Sequence, residues 1–144
     1  MRVIALSVAI AGLTGASWLR ADAASDVNDV FAAMAAALAN ANVSEFMRAC
    51  DKEMTGYDTL KGQVSALVTD NEVSSSVETT KNEGDDAKRI VDLDWYLQIR
   101  SLHDNGPITV RRQIVHCEVR KDGKRWKVTS IAPADFFAPA RLVK

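Results

Sequence analysis

Residues Lys88 to Ser101 read KRIVDLDWYLQIRS. Within this run Val91, Leu93, Trp95, Leu97 and Ile99 alternate with Asp92, Asp94, Tyr96, Gln98 and Arg100. A period of two held over so many residues is the mark of a β-strand with one face on a core and the other in water. The same alternation extends outward to Glu72–Thr80 upstream, and to Ile108–Lys121 and Lys124–Ile131 downstream. The breaks between these runs are Asn82-Glu83-Gly84-Asp85, Asp104-Asn105-Gly106-Pro107 and Asp122-Gly123, and each carries a residue that tolerates positive φ. Connections this short impose antiparallel neighbours, so the second half of the chain predicts a meander of about four long strands.

Upstream of Glu72 the period changes. Val27, Val30, Phe31, Met34 and Leu38 recur at helical spacing and predict a helix from Ser25 to Asn40. A short helix from Val43 to Lys52 would bury Phe46, Met47 and Cys50; Asn42-Val43-Ser44 matches a glycosylation acceptor but is better explained as its cap. A third, from Asp58 to Val68, turns Leu60, Val64, Leu67 and Val68 inward. Helices first and strands after give an α+β class, with three N-terminal helices packed on one face of the sheet.

The alternation also assigns the faces. Val73, Val77, Val91, Leu93, Trp95, Leu97, Ile99, Val115, Cys117, Val119, Trp126 and Val128 fall on the face that takes the helices. Thr109, Arg111, Gln113 and Ser130 are polar positions near the rim of that apolar face, and Tyr57 can lean over the same region. Polar groups at the rim of an apolar concavity orient ligands. The candidate ligand-binding set is therefore Tyr57, Trp95, Leu97, Arg111, Gln113, Val115, Trp126 and Ser130; the plainer reading is that Arg111 and Gln113 emerge past the helices into water.

Asp94, His116 and Glu118 fall on the opposite, polar face, where water competes for them. A solvated charge ladder describes them better than an acid/base or metal set. Tyr96, Val110, Ile114 and Ile131 make an apolar island on this polar face, either a homodimer seam or scattered surface residues. No histidine pair at ligand spacing, Gly-rich phosphate loop or nucleophile elbow occurs, so neither a metal nor another cofactor is expected.

The chain has 144 residues, room for one domain, and a formal charge of -1 that gives no bulk attraction to nucleic acid or an anionic membrane. Residues Met1 to Ala23 read as a secretory signal peptide: Arg2, an uncharged run from Val3 to Leu19, then the small-x-small triplet Ala21-Asp22-Ala23. Arg20, lying before that triplet, keeps an uncleaved anchor as the alternative. The expectation is an exported protein, periplasmic or secreted, with one domain over residues 24–144 and no membrane association after cleavage. In an oxidising compartment Cys50 and Cys117 invite a disulfide, which could stabilise the fold by about 4 kcal/mol; two buried thiols that never meet are the alternative.

Three helices followed by long antiparallel strands, with Val91-Asp92-Leu93-Asp94-Trp95 in one strand and Gly123-Lys124-Arg125-Trp126-Lys127-Val128 in the last, resemble the nuclear transport factor 2-like superfamily. This is the cystatin-like fold that also serves polyketide cyclases and ketosteroid isomerase. The resemblance covers Asp26 to Phe137 and implies a curved sheet wrapped on a long helix into a cone with a cavity at its open end, often dimeric through the sheet. The chain departs from the family pattern between helices two and three, where Asp51 to Tyr57 leave no room for the usual strand pair. The enzymes of that superfamily need a carboxylate or histidine inside the cone, and the inward face predicted here has none, so no catalytic residue is carried over. Three functions compete: a non-catalytic domain holding a small apolar or amphipathic ligand, a filled cone serving as a structural or dimerising unit, and an isomerase- or cyclase-like enzyme. The third would need a register slip of one residue to bring Asp92 or Asp94 inside.

Overall fold

The computed structural model describes residues 15–103 and 106–139, with side chains from residue 22 onward. Helix α1 spans Gly15–Ala39, α2 Val43–Arg48 and α3 Tyr57–Asp70. The strands are β1 (Asn71–Gly84), β2 (Lys88–Ser101), β3 (Thr109–Asp122) and β4 (Arg125–Ala132), and a 3-10 turn follows at Ala134–Phe137. All four strands pair in chain order, each antiparallel to the next, in a curved, unclosed sheet. The α+β class and the meander stand as expected.

Helix α1 starts ten residues before the expected Ser25. The segment from Gly15 to Ala24 contains no proline and is rich in Ala with Leu and Arg, so nothing in it stops the helix that the Val27 stripe begins. The first 14 residues of the expected signal peptide lie outside the described residues; Ala21-Asp22-Ala23 lies within α1. Among the described residues no helix is long and apolar enough to cross a membrane.

Val27, Phe31, Met34 and Leu38 are buried along α1, as the stripe predicts. The helix is tied to β1 by Asn28, whose Oδ1 accepts from Thr79 Oγ1 at 2.9 Å and Asn82 Nδ2 at 3.1 Å. Asn42 caps α2 by accepting from Glu45 N at 3.0 Å, which is the role its sequence context implied. Gly56 precedes α3 at φ 80°, a left-handed conformation that a side chain rarely takes. After α2 the chain joins the sheet: Cys50 bridges Val128 in parallel, with Asp51 N donating to Val128 O at 2.9 Å and Val128 N to Ala49 O at 2.8 Å.

Two bulges bend the sheet. In β1 the register shifts between Thr79 and Lys81; across β3 and β4, Glu118 faces Ser130 while Val119 faces Val128, leaving Thr129 as the extra residue. The second bulge overturns part of the expected faces. Strict alternation puts Ser130 on the helix-facing side and Ile131 on the polar side; the inserted Thr129 reverses the parity. Ser130 is exposed opposite Glu118, while Ile131 pairs with Cys117 and packs against the core. Ser130 therefore leaves the candidate ligand set, and Ile131 leaves the candidate dimer patch.

Candidate functional site

The space between sheet and helices, where a ligand cavity was expected, is filled by the chain itself. Trp95, Leu97 and Val115 are fully buried. Phe136 and Phe137 of the C-terminal turn lie against Trp95, and the Phe137 ring meets Phe46 edge-on at 5.3 Å. Trp95 points its indole N–H out of the aromatic cluster, donating to Ser75 Oγ at 2.9 Å. Tyr57 is half-buried and packs against the same core.

Arg111 holds the turn in place. Its Nη1 donates to the carbonyls of Phe136 and Ala138, the latter at 2.7 Å. Partial burial pulls the guanidinium below its ordinary value, and the Asp135 carboxylate works in the opposite sense. The group expected to orient a ligand thus orients a segment of its own chain. Gln113 sits opposite Trp95 but is exposed, because β4 ends opposite His116 and leaves this part of β3 uncovered on one side.

One buried cation escaped the sequence reading. Arg89 is only 6% exposed and lies on the helix-facing side, opposite Val119. Its Nε donates to Asn82 Oδ1 at 2.6 Å, its Nη2 to Asn82 O at 3.0 Å and its Nη1 to Asp85 O at 3.1 Å. The signal was present, since position 89 shares the parity of Val91. Arg89 cross-links the end of the β1–β2 hairpin with all its described bonds to neutral acceptors.

The polar face carries the expected ladder. Arg112 grips Asp94 through two bonds of 3.0 and 2.7 Å, which hold the Asp94 carboxyl below its ordinary value. His116 Nδ1 lies 2.7 Å from Asp92 Oδ1, and Lys88 pairs with Glu118 at 3.1 Å. Asp94, His116 and Glu118 therefore serve three different partners. The register places Asp92 and Asp94 outward, without the slip that an enzymatic cone would require. No group of metal-ligating side chains occurs among the described residues. Tyr96 is half-buried here, its hydroxyl accepting from Gln98 Nε2 at 2.9 Å, while Val110 and Ile114 are 55% and 40% exposed.

Cys50 and Cys117 are both free and buried, so the expected bond between them is not formed in this structure. Burial pushes the Cys50 thiol up to about 12, opposed by Lys127; burial, then Cys50 and Asp92, raise Cys117 as well.

Open concavities lie elsewhere: one of about 370 Å³ on the outer sheet face beside Ser76, Asp94, Tyr96 and Arg112, and a cleft of like volume between α1, α2 and the β3–β4 hairpin. Helix α1 presents Asp26, Asp29, Val30 and Ala33 to it, at the i, i+3, i+4, i+7 spacing of one helical face. Helix α2 adds Glu45, Arg48 and Ala49, and the hairpin adds Lys124, Arg125, Trp126 and Lys127. Glu45 and Arg48 pair at 3.2 Å, and Lys127 Nζ donates to Arg48 O at 2.8 Å. Trp126 is 5% exposed, yet its Nε1–H has no acceptor; it and Gln63 Oε1 are the buried side-chain polar atoms left without a partner among the described residues. Lys121 Nζ stands 5.9 Å from the Trp126 ring centroid. Of the candidate ligand residues, only Trp126 reaches this cleft.

No protein-family model and no curated protein matches the sequence. Solved structures do match the fold. A conserved protein from Planctomyces limnophilus superposes with a TM-score of 0.72 at 6% identity, over 78% of this chain and 94% of its own. A nuclear transport factor 2-like protein of unknown function from Shewanella oneidensis gives 0.59 at 12% identity, over 74% and 94%. A hexachlorocyclohexane dehydrochlorinase from Novosphingobium barchaimii gives 0.65 at 9% identity, over 80% and 87%. The chain has the nuclear transport factor 2-like fold that its sequence resembles.

Proposed function

We propose that this chain is an exported, non-catalytic binding domain for a small amphipathic molecule, and that recognition takes place in the surface cleft beside Trp126 rather than inside the cone. The observation that carries this reading is the open cleft itself, in which apolar surface from α1 and α2 lies beside charged side chains of α1 and the hairpin. Val30, Ala33 and Ala49 supply that apolar surface. The interior offers no comparable opportunity, since Phe136 and Phe137 already occupy it.

Native mass spectrometry of protein exported from its own N-terminal segment tests this. The expected result is a chain beginning at Ala24 that carries extra mass released on gentle activation. Ala33→Trp, which fills the cleft from an exposed position, should remove that mass while leaving the fold intact. A wild-type chain that is bare under the same conditions would count against the reading.

A second reading has its own support. Val110, Ile114 and half-buried Tyr96 form an apolar patch on the outer sheet face, as a dimer seam would. A bare dimer that Ile114→Asp converts to monomer would favour this filled-cone, structural role.

A further inference from the structure

Strand β3 has a neighbour along only part of one flank. On one side β2 pairs with it from Thr109 to Arg120. On the other, β4 pairs from His116 to Asp122 and the chain then leaves for the C-terminal turn. The stretch from Thr109 to Val115 is therefore an open edge, with no strand on it among the described residues. Two bonds further along fix where its backbone groups point. Lys121 N donates to Ala87 O on the β2 side, and Glu118 O accepts from Thr129 Oγ1 on the β4 side. Odd positions of β3 thus turn their N–H and C=O towards β2, and even positions turn theirs away. At the open edge the groups turned outward belong to Val110, Arg112 and Ile114, and none has a backbone partner there among the described residues. Proline, lysine and bulges, which guard edges against further pairing, do not occur between Thr109 and Val115.

The geometry points to a seam between two copies of this chain, joined edge to edge through β3, antiparallel about a two-fold axis at Arg112. Such a seam continues each four-stranded sheet into the other. The register sets Val110 of each copy opposite Ile114 of the other, and Arg112 opposite Arg112. Every one of these pairs exchanges two N–H···O bonds, so all the outward-turned groups of both edges are used. A shift of two residues would set Ile114 against Ile108, which lies outside the strand, or Val110 against His116, which already pairs with Ala132. The side chains suit the same register. Exposed Val110 and Ile114 cover one another across the seam on the outer face. Each Arg112 arrives already gripped by Asp94 of its own chain, at 3.0 and 2.7 Å, so the axis carries two ion pairs and no net charge. On the helix-facing side Arg111 meets the neutral Gln113. An unrelated strand could use the same backbone groups, but a second copy brings the match of Val110 with Ile114 twice in one register. This seam rests on the dimer reading above; it differs from a face-to-face dimer, which would bury Tyr96 of β2 instead.

Sedimentation equilibrium of the full chain gives the dimer constant, and amide exchange read by mass spectrometry of fragments locates the seam. A dimer is expected, and dilution to monomer should release the amides of Val110, Arg112 and Ile114 to fast exchange. Ile114→Pro keeps an apolar residue, removes one edge N–H per copy and sets a ring where the other strand must approach. It should raise the dimer Kd at least about thirtyfold, as the loss of two hydrogen bonds implies. Tyr96→Gln, one strand away from the edge, should change Kd by no more than about threefold. A dimer that survives Ile114→Pro but is lost in Tyr96→Gln overturns the edge seam and leaves the dimer reading standing. So does a dimer whose dilution alters no amide between Thr109 and Val115, and this comparison decides alone if Ile114→Pro fails to fold. A wild type that stays monomeric at about 1 mM overturns both.

Discussion

The ring of Phe137 meets Trp95 edge-on, with centroids 4.9 Å apart and planes at 83°. One residue comes from the turn after the last strand, and the other from the middle of β2. Edge-on aromatic pairs add stabilisation beyond the area they bury. Replacing Phe137 by Ala should therefore lower stability by about 3–5 kcal/mol, as for other buried aromatics. Chemical denaturation followed by circular dichroism measures this directly.

Arg111, which is half-buried, should matter less than Phe137 but still measurably. Arg111→Ala removes the bonds to the Phe136 and Ala138 carbonyls, a loss of roughly 1–3 kcal/mol. Limited proteolysis should then cut the C-terminal turn first. Arg111→Lys should retain part of the protection, because an ammonium can still reach a carbonyl. An unchanged melting temperature and digest would remove Arg111 from this role.

The Thr129 bulge makes a sharp contrast between two isoleucines on neighbouring strands. Ile131→Asp places a charge against the core and should cost at least about 2 kcal/mol. Ile114→Asp, at an exposed position, should change the stability of the monomer by no more than about 0.5 kcal/mol. Equal effects would mean that Ile131 does not turn inward.

Both thiols should be unreactive in the native protein. With Cys50 pushed up to about 12, almost none of it is thiolate at mildly alkaline pH. Ellman's reagent should find no fast-reacting thiol in the native chain and two in concentrated guanidinium without reductant. None in guanidinium would mean that Cys50 and Cys117 had paired. The raised folded value also gives a sign: this contribution to stability is complete below the ordinary 9.0 and is lost as the pH climbs towards the folded value.

Asp85 supplies the opposite sign at acid pH. Its Oδ1 accepts from Ala87 N and Lys88 N, each at 2.8 Å, and these bonds hold its carboxyl below the ordinary 3.8. Its contribution is therefore present above that value and lost as the pH falls through the depressed one. Thermal melts from neutral pH to below pH 4 should show a smaller acid-induced drop for Asp85→Ala than for the wild type.

The architecture was legible because periodicity reports which face a side chain occupies, and long strands average out local exceptions. The run from Val91 to Ile99 alone placed Trp95 and Leu97 inward and Asp92 and Asp94 outward, where the structure has them. Alternation cannot register an inserted residue, so the Thr129 bulge reversed Ser130 and Ile131 without any cue in their own neighbourhood. Arg89 had the right parity but the wrong chemistry for a core position, and only the acceptors of Asn82 and Asp85 make its burial tolerable. The cleft was hidden for another reason. It assembles residues from α1, α2 and a hairpin about a hundred positions downstream, and no local pattern encodes that juxtaposition.

The aromatic turn has a consequence in time as well as in space. Phe136 and Phe137 follow all four described strands, so a polypeptide growing from its N-terminus acquires the sheet before the residues that pack between it and the helices. Until Phe137 has emerged, Trp95 and Phe46 lack their partner and the interior is a socket without its keystone. Closure of the core can therefore come only after all four strands have been made.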